Sequence, residues 1–276
     1  MSKDMQPDNI KDMQKCILDI LIAIDKVCKE HHLRYYLIAG TMLGAIRHRG
    51  FIPWDDDADV ALPRKDYEKL VKYANEWLPN YYELVSEYQD AYYPYQFVRI
   101  QDRRTTYILR RNFNFLGGVP VDVFPLDGMT ENQLLLRWHY IKYSFVKKLL
   151  YFSTVDPAKH GKGMRYIFCT LFRKIVTPRW AHRKLDSIQK EFDYDTSVLV
   201  ADHDNKPFKG GVLPKTYYGI PTPVQFEEVS LMGVENPDDY LRNVYGNYMK
   251  LPDTLPPCNF RYLDLHKPYS EYRSEL

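Results

Sequence analysis

The chain has 276 residues, 45% hydrophobic and 27% charged, with a net charge of +2, which is enough apolar material for one large or two small domains and excludes a disordered chain. The near-neutral total hides an imbalance: Arg137 to Lys184 carries twelve Lys or Arg against one acid, Asp156, so one segment seeks an anionic partner while the body does not. Four cysteines without a CxxC pair, no signal-peptide core and no run of the roughly 18 apolar residues that span a bilayer point to a cytoplasmic protein.

Ile10, Met13, Ile17, Ile20, Leu21, Ile24, Val27 and Cys28 recur every three or four positions and predict an amphipathic first helix, capped at Asp8 or Asn9 and ending near His31 and His32. Tyr35 to Ala39 then reads as a buried strand, Thr41 to His48 as a short helix opened by Thr41, and Trp54 to Leu62 as a strand stopped by Pro63. A helix follows from about Arg64 to Leu78. Between Tyr81 and Phe124, YYELVSE, YQFVRIQD, TTYIL and VPVDVFPLDG show the β-branched and aromatic alternation of a sheet. In the last of these Asp122 stands between Val121 and Val123, an acid in an apolar strand that needs a reason to be there.

From Glu131 to about Phe192 the pattern is helical. Trp138, Ile141, Phe145, Leu149 and Phe152 form one stripe; Met164, Ile167, Phe168, Leu171, Phe172 and Ile175 form another, with DPAKHGKG between them and Pro178 interrupting the second. Short strands and loops follow, then a helix from about Asp238 to Tyr245. The expected organisation is a core over 1–130, a basic aromatic helical segment over 131–195, and a C-terminal part, 196–276, completing the same domain. The class is α+β, a mixed sheet flanked by helices with an additional helical lobe.

Asp55, Asp57 and Asp59 occur at every second position, so in an extended strand their carboxylates converge on one side and Asp56 points away. Like charges so close are costly unless a cation sits among them, and oxygen donors without His or Cys suit Mg²⁺ or Mn²⁺. Just upstream, Gly40 and Thr41 open a helix whose free N–H groups, with a hydroxyl, can cradle a phosphate. Asp122 supplies a carboxylate from a separate strand. Arg47 and Arg99 are candidate clamps for a diphosphate, and Trp54 either stacks on a ligand or fills the core.

A Gly-Thr turn, an Asp-x-Asp strand and a third Asp, in that order, resemble the nucleotidyltransferase superfamily. AGTMLGAIRHRGFIPWDDDADVALPRKDYEKL is similar to the signature of the LicD family of phosphotransferases, related to fukutin and fukutin-related protein; VPVDVFPLDG and YLRNVYGNYMKLP resemble its later motifs. After KLP the chain departs from that pattern with LPDTLPPCNFR. The resemblance implies a nucleotidyltransferase-like sheet and transfer of a phospho-alcohol such as phosphocholine from a CDP-linked donor such as CDP-choline. The implied acceptor is a sugar hydroxyl of a cell-surface glycan or glycolipid, as in lipopolysaccharide or teichoic acid biosynthesis. It implies Asp57 and Asp59 as central metal ligands, Asp55 as a further ligand or outer-shell partner, and Asp122 as the residue that completes the site and could accept the hydroxyl proton, directly or through water, with the choice of base among the acids left open.

Two other functions fit the same residues: a nucleotidyltransferase moving a nucleoside monophosphate, and a non-catalytic glycan- or lipid-surface adaptor. The basic segment has three readings: a packed helical pair with a solvated face, a surface for peripheral association with an anionic membrane through 137–184, or a groove for an anionic glycan carrier. No nucleic-acid module is recognisable, so nucleic acid is not expected as a partner.

Overall fold

The computed structural model describes residues 7–90, 92–109, 115–156, 163–203, 211–255 and 258–272, with the backbone alone at 7–9, 165 and 168. Helix α1 (Pro7–Glu30) buries Met13, Ile17, Ile20, Leu21 and Ile24 against the rest of the core, the face its periodicity predicts. It begins at Pro7, ahead of both expected capping residues. Strand β1 (Tyr36–Leu37) leads into α2 (Ala39–His48), and β2 (Asp59–Pro63) into α3 (Arg64–Trp77). Strands β3 (Tyr82–Val85), β4 (Val98–Asp102), β5 (Thr106–Leu109), β6 (Leu116–Gly117) and β7 (Pro120–Met129) follow.

The central sheet runs β1-β2-β7-β4-β3, with β2 and β7 parallel and the other pairs antiparallel. All ten residues of β7 are buried, as befits a strand with neighbours on both edges. Its Pro125 is tolerated where β4 no longer pairs, since that ladder ends at Val98 opposite Val123.

The helical lobe consists of α4 (Gln133–Thr154), α5 (Met164–Ile175) and α6 (Pro178–Gln189). Asn132 caps α4 by accepting from the Leu134 and Leu135 N–H groups, and Pro178 opens α6 at a position that needs no N–H donor. A second small core ties α4 and α6 to the sheet through Leu136, Tyr140, Tyr143, Val146, Leu185 and Met129. The apolar stripe singled out by periodicity on α4 is not this face: Trp138, Ile141 and Phe145 are exposed.

The C-terminal part returns to the sheet. Strand β8 (Leu199–Ala201) pairs with the end of β7 and with β9 (Leu213–Pro214). The short α7 (Lys215–Tyr218) precedes a hairpin of β10 (Thr222–Phe226) and β11 (Val229–Gly233), then α8 (Pro237–Tyr245) and β12 (Phe260–Asp264), which pairs with β5. The hairpin turn braces the stretch joining α2 to the acids: the Phe51 N–H donates to Glu227 Oε1 at 2.8 Å, and the Glu227 N–H to the Arg49 carbonyl at 2.7 Å. A Cβ on Gly50 would fall on the Glu227 carboxylate, which would have to swing away from the Phe51 N–H to make room.

Candidate active site

Three strands set the first row of the site. The parallel register of β2 and β7 puts Asp59 opposite Asp122, and the antiparallel register of β4 puts Arg99 opposite Asp122 on the other side. Adjacent strands lie about 4.8 Å apart, so the three side chains form one row across the sheet. Arg99 Nε lies 2.7 Å from Asp122 Oδ1, bent away from hydrogen-bond geometry, while Nη2 donates to Oδ2 at 3.1 Å. The guanidinium also stacks 4.2 Å above the Tyr95 ring. Its Nη1 is buried with no hydrogen-bond partner among the described residues, a costly arrangement for a charged donor unless a ligand completes it.

Asp55 and Asp57 reach the same cleft from the run ahead of β2. That run is not strand: ladder pairing begins at Asp59 rather than Trp54, and the chain bends before it. The period-two expectation therefore fails at Asp56. Asp56 is buried, and its oxygens accept from the Asn259 main-chain N–H and, at 2.9 Å, from Asn259 Nδ2. The tightest group of acidic ligand atoms among the described residues, all within 4.8 Å of one another, comes from Asp55, Asp56 and Asp57. Of this group Asp55 and Asp57 line the cleft, and Asp56 does not. Asn259 Nδ2 also reaches Asp57 Oδ2 at 3.2 Å. From α1, Gln14 Nε2 donates to the Ile52 and Asp55 carbonyls at 3.1 and 2.9 Å and pins the bend.

Burial pushes the Asp55 carboxyl up to about 6, opposed by its hydrogen bond to Asp57 and by the charge of Arg47. Burial, and then the charges of Asp55, Asp122 and Asp56, hold Asp57 well above the usual carboxylate range. Hard oxygen donors that repel one another in a desolvated cleft fit Mg²⁺ or Mn²⁺.

Asp55, Asp57, Asp59, Asp122, Gly40 and Arg99 line one cleft of about 750 Å³. Gly40 is the second residue of α2, and a Cβ there would lie 3.0 Å from Asp55 Oδ2; glycine lets the acid approach the start of the helix. Ala39, also on the wall, sits at φ 46 and donates its N–H to the Tyr240 hydroxyl of α8 at 2.9 Å. That backbone is strained for alanine, and α8 holds it in place.

Thr41 and Arg47 do not line the cleft. The helix starts at Ala39, so Thr41 lies inside its first turn, buried, and its Oγ1 accepts from the Asp59 N–H at 2.8 Å. It ties the helix to the acid strand. Arg47 donates from Nη1 to the Tyr248 carbonyl at 2.8 Å and from Nε to His48 Nε2 at 2.9 Å, fastening the segment after α8 to α2. Trp54 packs, partly buried, against the core.

Other wall residues come from distant segments: Lys147 and Tyr151 from α4, Asp202 after β8, Tyr245 from α8 and Asn259 before β12. Burial raises the Tyr245 phenol, and the charges of Asp59, Asp55 and Asp57 raise it further, so it stays protonated beside the acids. Tyr245 belongs to YLRNVYGNYMKLP, so a signal for it existed. Lys147 and Asn259 lie in stretches with no such motif.

A family model described as "LicD/FKTN/FKRP, nucleotidyltransferase domain" matches residues 32–153, which contain both acid motifs and most of α4. The lipopolysaccharide cholinephosphotransferase LicD of Haemophilus influenzae is 27% identical over 259 residues, covering 90% of this chain and 94% of that protein. Two uncharacterised proteins, of Rickettsia prowazekii and Rickettsia typhi, are each 43% identical over 37 residues, covering 13% of this chain and 14% and 12% of theirs.

Proposed function

The chain belongs to the LicD family, and from that premise we propose that it is a metal-dependent phosphotransferase moving a phospho-alcohol, phosphocholine first among them, from a CDP-linked donor to a sugar hydroxyl of a cell-surface glycan or glycolipid. The observation that carries this reading is the meeting of four acids from two separate segments with Arg99 and the start of α2 in one cleft. A bound Mg²⁺ or Mn²⁺, held by Asp55, Asp57 and Asp59 with Asp122 completing the set, would neutralise charge on the donor diphosphate.

The protein's own residues do the rest. Arg99, whose buried Nη1 has no hydrogen-bond partner among the described residues, and the first N–H groups of α2 at Gly40 orient the phosphates, with Lys147 of the same cleft adding charge. The acceptor oxygen attacks the donor's distal phosphorus, the bond from that phosphorus to the bridging oxygen breaks, and CMP leaves. Asp122 takes the hydroxyl proton. A proton transfer that comes late, as expected of a loose phosphoryl transfer, asks little basicity of this carboxylate.

The family model's nucleotidyltransferase description favours a second reading, transfer of a nucleoside monophosphate. A pure adaptor fits poorly, because buried acids raised against one another cost stability for no return. No helix of the described residues is long and apolar enough to cross a membrane. If the acceptor carries a lipid, the basic 137–184 segment is suited to meet an anionic membrane on its cytoplasmic side.

Incubation with CDP-choline labelled separately in choline and in cytidine, a lipopolysaccharide-type acceptor and Mg²⁺ distinguishes these readings. The choline label should enter the acceptor while the cytidine label is released as CMP. Cytidine label in the product supports the second reading. Transfer undiminished by EDTA contradicts the metal.

A further inference from the structure

Helix α4 is apolar on two opposite faces. Leu136, Tyr140, Tyr143, Val146 and Leu150 point into the small core. Leu134, Trp138, Ile141 and Phe145, spaced at four, three and four residues, form a continuous stripe on the other side, with Leu134 74% and Phe145 61% exposed. Helix α5 repeats the pattern: Met164, Ile167, Leu171 and Ile175 share one face, with Met164 87% and Ile175 81% exposed. The two helices meet where Phe152, at the end of the α4 stripe, contacts Phe172 at 6.0 Å between ring centroids. Exposed apolar stripes of this length mark a surface that meets a partner.

We propose that α4 and α5 dock on the surface of an anionic lipid bilayer through these stripes. Charge selects the occupant. Arg137 and Lys148 fall beside the α4 stripe by the 100° step of the helix, and Lys174, Arg179, Arg183 and Lys184 are exposed on α5 and α6. With one acid in the whole basic stretch, a second copy of this chain docking face to face would bring like charges together, whereas anionic headgroups complement them. The exposed indoles of Trp138 and Trp180 suit the headgroup boundary.

The placement has a consequence for access. Lys147, Leu150 and Tyr151 of α4 line the cleft, and Tyr151 is about 9 Å along the helix axis from Phe145. The helix that rests on lipid therefore also walls the cleft, so an acceptor held in the bilayer reaches the acids without leaving its surface. The docking itself rests on the surface of the lobe and not on which group is transferred; a protein that docks yet fails to transfer phosphocholine leaves it standing.

The test is co-flotation of the full chain with vesicles of phosphatidylcholine alone or mixed with phosphatidylglycerol. Binding is expected to the mixed vesicles, weakened by salt and weaker by about tenfold or more on phosphatidylcholine alone. Ile141→Ser with Phe145→Ser, and separately Ile175→Ser, should each lower affinity by roughly tenfold or more, because each removes apolar anchors that lipid would bury. These side chains are exposed, so circular dichroism and the thermal midpoint should stay as in the wild type. Absence of wild-type binding to the mixed vesicles, or unchanged binding by both folded variants, overturns the proposal. So does a solution dimer of the wild type that these substitutions dissociate, which would make the face a protein interface.

Discussion

Asp57 is raised by burial and by three neighbouring carboxylates, and replacing it should move activity and stability in opposite directions. Asp57→Asn should lower turnover by roughly a thousandfold, the scale of losing a principal electrostatic contact. Without metal, its thermal midpoint should equal or exceed that of the wild type. Mg²⁺ at a hundred times its dissociation constant should stabilise the wild type by about 2.7 kcal/mol, and this increment should vanish in the variant; an equal Mg²⁺ shift in both proteins would remove Asp57 from the metal site. Arg99→Lys keeps the charge but loses the fork, so KM for the donor should rise by roughly tenfold, and an unchanged KM would deny Arg99 its phosphate contact. The acids were legible because residue type and spacing announce them, and Asp122 because a charge in an apolar strand demands explanation. Asp56 was misread because period two holds only within a strand, and pairing starts at Asp59. Gln14 and Asn259 could not be foreseen: they arrive from opposite ends of the chain, and nothing in their local pattern differs from an ordinary surface amide.

At the scale of elements, the site depends on braces that hold α2 against the acid run. Gly50→Ala places a methyl group on the Glu227 carboxylate and should destabilise the protein by about 1–3 kcal/mol, read as an earlier denaturant midpoint. Tyr240→Phe removes the acceptor of the strained Ala39 N–H; a loss of about 1 kcal/mol is expected. An unaltered midpoint in either variant would show that the brace is dispensable. Periodicity located nearly every helix, yet on α4 it singled out the outward stripe. The inward face contains His139, Tyr140 and Tyr143 and so looks half polar in sequence, while the outer one is more uniformly apolar. A hydrophobic pattern reports that a face avoids water but not what covers it.

At the scale of the molecule, the lobe joins the sheet through a buried polar chain. Arg64 of α3 makes two 2.6 Å bonds to Asp127 of β7; His203 Nδ1 lies 3.6 Å from Asp127; His203 and His139 face each other at 3.0 Å; and His139 Nδ1 meets Glu191 at 2.8 Å. Facing imidazoles share one proton between them, so both cannot be charged cheaply. Burial lowers the pKa of His139 and His203, with Glu191 partly offsetting it at the first and the charges of His139 and Arg64 adding to it at the second; burial also lowers His182. Below about 6.5 the unfolded chain binds protons that the folded form refuses, so stability is full above that value and lost as pH falls beneath it. Between about pH 7 and about pH 5 the wild type should therefore lose stability relative to His203→Gln, the opposing proton uptake of Asp55 and Asp57 being common to both proteins; matching profiles would place the acid sensitivity elsewhere. The α+β class and mixed sheet were readable from the order of elements. The parallel pairing of β2 with β7, which sets Asp59 beside Asp122, was not, because register between strands about sixty residues apart is decided by packing rather than by local pattern. The central claim, metal-dependent transfer from a CDP-alcohol at this acid cluster, is tested most directly by measuring CMP release from CDP-choline with a lipopolysaccharide-type acceptor, comparing wild type and Asp57→Asn across a Mg²⁺ titration. Release that rises and saturates with Mg²⁺ in the wild type and is absent from the folded variant is the predicted result; release indifferent to both Mg²⁺ and Asp57 would contradict it.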